Sequence, residues 1–263
     1  MRQLISTSLA LFLITAVWAG DAAGPALTQV DYTHAGTALR GWVARPAGTG
    51  PFAGVLVVPE WWGLGDYAKG RAAELAAAGY VALACDFYGT GKYTTDPKQA
   101  GEWAGQFYAD PALMVARATA GLDALRQQPG VDAQRLAGVG FCFGGSVCLQ
   151  LARSGAPLKA VAAFHPGLKT AAPAAGPITS KILVLHGGSD QFVPPAEVAT
   201  FFDEMVKAKA DWRMEVYGTC LHAFTNPGAG VTVGVGLPIR YDEAATKDAF
   251  AAMHRLFAAT LAR

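Results

Sequence analysis

Between an apolar run and an alanine- and leucine-rich stretch lies Gly140-Phe141-Cys142-Phe143-Gly144-Gly145. The segment has the form of a nucleophile elbow, with cysteine where the better-known version carries serine. Such a turn takes the chain from a strand straight into a helix. It is tight enough that side chains two residues before and two after the nucleophile would strike backbone, so small residues stand there. The turn lifts the central side chain above the sheet edge, at a helix N-terminus. That end favours negative charge and therefore a thiolate. Taken alone, the segment also admits a glycine-rich turn around a buried cysteine.

The rest of the chain supplies the sheet that an elbow needs. Apolar runs at 54–59, 80–85, 135–141, 160–164, 182–185 and 212–217 read as strands. Most are continuous, as expected of strands buried on both faces. Two further strands open the fold at 27–33 and 39–44, with a turn at Ala35-Gly36. Helical spacing covers 65–78, 96–108, 110–128, 144–153, 195–209 and 241–261. Strands alternating with helices predict an α/β fold, a mostly parallel central sheet flanked by helices on both faces. Ligands in such sheets bind outside the carboxyl ends of the strands.

Three reactive side chains fall at those ends. Cys142 follows one strand, Asp190 follows the strand at 182–185, and His222 follows the strand at 212–217. The order nucleophile, acid, histidine is that of α/β-hydrolases. His222 would accept or share the thiol proton, and Asp190 would orient the imidazole and stabilise its charged form. An oxyanion needs two donors; the Phe143 and Trp61 backbone N–H groups are the candidates. In Pro59-Glu60-Trp61-Trp62-Gly63 a carboxylate and two large aromatics follow a buried strand directly. Glu60 is either a solvated loop carboxylate or a proton partner of Cys142. Trp61 and Trp62 are either a rim of core or the wall of an apolar pocket.

Composition narrows the alternatives. The chain has 263 residues, 16% charged, with a formal net charge of +1. It shows no basic cluster of the kind nucleic acid requires. No His, Asp, Glu or Cys grouping has metal-ligand spacing, so no metal is expected. Arg2 followed by an apolar run at 9–17 and small residues near 19–23 reads as a signal peptide over 1–22. A single domain over 24–263 would then work outside the cytoplasm, in the periplasm of a Gram-negative source, with no stable membrane insertion after cleavage. A monomer or small homo-oligomer is expected. Cys148 falls on the far side of the elbow helix and should not pair with Cys142. A Cys85–Cys220 bridge is left open. His34, His165, His186, His254 and Cys220 read mainly as structural, and 228–236 reads as a loop over the site.

The chain resembles the dienelactone hydrolase (carboxymethylenebutenolidase) family. The likeness rests on the elbow, Pro59-Glu60-Trp61-Trp62-Gly63, Asp86-Phe87-Tyr88, His186-Gly187-Gly188-Ser189-Asp190 and His222-Ala223-Phe224. It implies an α/β-hydrolase fold and a Cys142–His222–Asp190 triad, with Glu60 holding the resting thiol. It also implies cofactor-free hydrolysis of a small ester or lactone through a thioester. Tyr88, Lys92, Phe224 and Asn226 are the matched or neighbouring positions expected to help bind substrate. The family grips a substrate carboxylate with two arginines. Gly89-Thr90-Gly91-Lys92 and Thr225-Asn226-Pro227 stand in their places, and lysine cannot form a bidentate clamp. A neutral or differently charged substrate is therefore as well matched as dienelactone. Two rival functions are a thiol redox or peroxide-reactive protein and a ligand-binding member of the fold without catalysis.

Overall fold

The computed structural model describes residues 25–262. The signal peptide expected over 1–22 lies outside them. The chain runs β1 (Leu27–His34), β2 (Thr37–Ala44), β3 (Phe52–Val58), α1 (Asp66–Ala77), β4 (Val81–Ala84), α2 (Pro97–Ala109) and α3 (Pro111–Arg126). It continues through β5 (Val131–Phe141), α4 (Phe143–Arg153), β6 (Ala160–Phe164), β7 (Lys181–Gly187), α5 (Pro195–Lys207), β8 (Trp212–Tyr217) and α6 (Glu243–Thr260).

The helix starts follow from local chemistry. Asp96 accepts the Lys98 N–H and Asp110 accepts the Leu113 N–H, each followed by a proline in the first turn. Both are the expected N-terminal pattern. Gly79, with φ +98°, closes α1 in a conformation that side chains disfavour.

One eight-stranded sheet has the order β1-β2-β4-β3-β5-β6-β7-β8. β1 and β2 are antiparallel to their neighbours, and the rest are parallel. Strand β5 starts at Val131 rather than at 135, because Val131 and Asp132 pair with Phe52 and Ala53 before the register shifts. Successive β3 residues serve opposite faces. Leu56 and Val58 pack with α2, α3, α4 and α5, while Val55 and Val57 pack with α1 and α6. This is a doubly wound layer whose strand order reverses between β3 and β5. Glu60 and Cys142 follow the carboxyl ends of those two strands, where such sheets bind ligands.

The cysteine bridge left open above is not made. All four cysteines are free. Cys85 lies in the core layer beneath α3 and Cys220 in the layer on the opposite side, so the sheet separates them. Among the described residues, no helix is long and apolar enough to cross a membrane.

Candidate active site

Cys142 stands between β5 and α4 with φ 53° and ψ −117°. Few residues adopt such angles, and they persist only where the surroundings over-determine them. Here the glycines do so. A Cβ on Gly140 would lie 2.0 Å from the Gly144 carbonyl oxygen, and one on Gly144 would lie 2.2 Å from the Val58 carbonyl oxygen. The first turn of α4 therefore rests directly on the end of β3.

Asp190 and His222 meet Cys142 from two later loops. His222 Nδ1 is 2.7 Å from Asp190 Oδ2, and the Asp190 side chain is fully buried. The second Asp190 oxygen accepts the Phe192 N–H at 2.8 Å. Burial alone would lower the His222 imidazole. The negative charge of Cys142, together with hydrogen bonds to Asp190 and Cys142, outweighs it and raises the ring to about 10. This geometry can hold an imidazolium opposite a thiolate.

Glu60 is buried, not solvated. Its Oε2 accepts the Asn226 side-chain amide at 2.6 Å. Burial pushes its carboxyl up to about 7, against the opposing pull of that hydrogen bond and of the His222 charge. Glu60, Trp61, Trp62, Cys142 and His222 all line one cavity of about 540 Å³. Trp61 and Trp62 pack on each other with ring centroids 4.9 Å apart. Phe192, Leu237 and Ile239 supply further apolar wall, and the 228–236 loop packs Val233 on the outer side of Trp62. Phe143 opens α4, so its N–H has no intrahelical acceptor.

Four expected substrate contacts lie elsewhere. Lys92 is exposed and outside the cavity, its ammonium 6.0 Å from the Trp103 ring. Phe224 is fully buried beneath the site, edge-on to His165 and against Tyr217. Asn226 serves Glu60 and the Gly228 N–H rather than the cavity. Tyr88 packs among Trp103, Phe107 and Phe143, and its buried hydroxyl has no hydrogen-bond partner among the described residues. The reason is common to all four: a residue number beyond a strand end fixes the neighbourhood but not the direction of the side chain.

Other residues around the site were given no part in it from the sequence. His165 is fully buried with φ 39°. Its Nδ1 accepts the Cys142 backbone N–H at 3.1 Å, and its Nε2 meets the Thr225 hydroxyl at 2.9 Å. Burial, and next the His222 charge, hold it well below the ordinary histidine range, so it is neutral. His165 thus links the elbow to the loop that carries His222. Tyr108, Ser146, Gln150, Arg153 and Lys169 also line the cavity. Ser146, Gln150 and Arg153 share one helical face with Cys142, a spacing visible in the sequence. Among the described residues, no group of His, Cys, Asp and Glu side chains is arranged to hold a metal ion.

A model of the dienelactone hydrolase family matches residues 39–261. The crystal structure of a dienelactone hydrolase-like promiscuous phosphotriesterase, P91, from metagenomic libraries superposes with a TM-score of 0.85. It is 39% identical and covers 90% of this chain and 99% of its own. Protein usf of Aquifex pyrophilus is 30% identical over 203 residues, 75% of this chain and 87% of that one. The Bradyrhizobium protein named "Probable 2-oxo-3-(5-oxofuran-2-ylidene)propanoate lactonase" is 28% identical over 212 residues, 76% of this chain and 84% of that one.

Proposed function

The chain belongs to the dienelactone hydrolase family and is a lactone and ester hydrolase, and from that premise we propose that it works by covalent catalysis at Cys142. The Cys142 thiolate attacks the substrate carbonyl carbon, and the carbonyl electrons move onto oxygen. The Trp61 and Phe143 backbone N–H groups hold that oxyanion. On collapse the ester or lactone C–O bond breaks, and the departing oxygen takes the proton of the His222 imidazolium. A thioester remains. His222, now neutral, takes a proton from water, and the resulting hydroxide attacks the thioester. The second collapse expels the Cys142 thiolate and releases the carboxylic acid.

Asp190 keeps His222 oriented and charged at the start of the cycle. Glu60, titrating near neutral pH beside His222, is the reserve from which a proton reaches the resting pair. The observation that carries this reading most is the 2.7 Å Asp190–His222 bond at a cavity shared by His222 and Cys142. The absence of an arginine at 92 and 226 favours a neutral group near the scissile bond. We further propose that residues 1–22 direct export, on the pattern of Arg2 and the apolar run at 9–17.

Brief exposure to p-nitrophenyl acetate, followed by intact mass measurement, tests the mechanism. A transient acetyl adduct absent from Cys142→Ala, with turnover lost in that variant, is the expected result. Undiminished turnover in Cys142→Ala overturns it. N-terminal sequencing of the exported protein tests the signal: an N-terminus near residues 20–24 is expected, and an intact Met1 overturns it.

A further inference from the structure

The cavity extends well beyond the reacting groups. About 540 Å³ falls in the range that accommodates a drug-sized ligand. Its remaining length follows α4. Ser146, Gln150 and Arg153 line it, four, eight and eleven residues after Cys142. At 3.6 residues per turn those positions stay on one face, and Arg153 lies about 16 Å along the axis from Cys142. Helical side chains lean toward the N-terminus, so the guanidinium reaches back toward the nucleophile.

Most polar groups at this end are already engaged within the protein. Gln150 accepts the Thr170 hydroxyl and donates to the Ala172 carbonyl. Ser146 donates to the Gly167 carbonyl. Glu197 accepts the Leu168 and Lys169 N–H groups through one oxygen. Arg153 is the buried cation among them, and it is engaged on one side only. Its side chain is only 2% exposed. Its Nε and Nη2 bind Glu204 at 2.9 and 2.8 Å, and Nη2 also donates to the Leu168 carbonyl at 2.9 Å. Those bonds account for its structural role in tying the β6–β7 loop to α5. They leave Nη1 with no hydrogen bond among the described residues. A guanidinium edge that the protein leaves unpaired beside a cavity is free to donate to a ligand held there. Glu204 balances Arg153 and Glu197 balances Lys169, so this end carries no net charge. Among the described residues on the cavity wall, Arg153 and Lys169 are the only lysine or arginine side chains.

We propose that this end of the cavity is a second recognition site, in which Arg153 Nη1 donates to a carbonyl oxygen, of a carboxylate or carboxamide, closing an extended acyl chain whose ester carbonyl sits at Cys142. The proposal rests on the reading of Cys142 as the nucleophile. It names the substrate class as long-chain esters with a polar terminus.

The test uses p-nitrophenyl half-esters of dicarboxylic acids from succinate to dodecanedioate, the corresponding half-amides, and methyl-ended esters of equal length. In the wild-type enzyme, kcat/KM for polar-ended over methyl-ended substrates should rise with length and peak near sebacate, at about tenfold. Arg153→Lys keeps a positive charge opposite Glu204 but removes Nη1, and the peak ratio should fall to about one. A ratio that does not change with length in the wild type overturns the proposal, whether or not the variant folds. So does a peak that survives in a folded Arg153→Lys. Failure of the wild type to hydrolyse any of the esters overturns instead the reading of Cys142, and the proposal with it.

Discussion

The Cys142 backbone N–H is shared between the Phe164 carbonyl at 3.0 Å and His165 Nδ1 at 3.1 Å. Cys142 is thus held from the neighbouring strand by a neutral, buried ring whose other nitrogen meets Thr225, three residues past His222. Removing the ring should misplace both reacting side chains together. His165→Ala is expected to lower kcat for p-nitrophenyl acetate by about tenfold to a hundredfold, with a smaller change in KM. His165→Asn keeps an acceptor near the Cys142 N–H and should recover part of the loss. An Asn variant no better than Ala, at equal thermal stability, would remove the positioning role.

Asp190 contributes to the raised His222 ring through their 2.7 Å bond. Without that bond the imidazolium loses its proton at lower pH. Asp190→Asn should therefore move the alkaline limb of the kcat/KM profile toward neutrality and lower the plateau by about a thousandfold. A profile displaced to higher pH would contradict the arrangement.

Glu60 is buried with its carboxyl raised to about 7 from an ordinary 4.5. The folded state therefore binds the proton more tightly than the unfolded state. The sign follows: below about pH 4.5 the group costs nothing, and stability declines as pH rises from there toward 7. Glu60→Gln carries no charge and keeps an acceptor for Asn226. Urea unfolding should find the variant gaining on the wild type between pH 5 and pH 8. Parallel curves across that range would show that Glu60 is not held as an expensive buried carboxylate.

The elbow leaves no room for a methyl group at Gly140, where a Cβ would overlap the Gly144 carbonyl oxygen. Gly140→Ala should cost about 3 kcal/mol or more, since backbone and not a flexible side chain must give way. Thermal unfolding of the soluble variant measures it; a loss below 1 kcal/mol, on the order of an ordinary surface change, would mean the turn relaxes freely.

The elbow was legible because its sterics are local: Gly140 and Gly144 declare the turn without any knowledge of what surrounds it. The positions of Asp190 and His222 were legible because a parallel sheet carries its strand ends to one edge, so chain order translates into proximity. Glu60 was half legible. Its place after β3 followed from sequence, but burial depends on Asn226, which lies 166 residues away. Lys92 and Phe224 do not reach the cavity wall, because loop numbering does not say which way a side chain turns. His165 read as structural, and it is buried and bonded to backbone, but a histidine at a strand end gives no sign that the N–H it accepts will be that of Cys142. The Ser146–Gln150–Arg153 face was present in the spacing after Cys142, yet nothing local says that a cavity runs beside it.

Gly144 rests on the Val58 carbonyl with no space for even one extra carbon. Phe143 and Trp61 lie on the two segments joined at that contact. The contact is backbone on backbone, so neither segment can approach the other more closely. In the proposed mechanism the gap between the two N–H groups is thus set by backbone contact, independently of the side chains that shape the rest of the cavity.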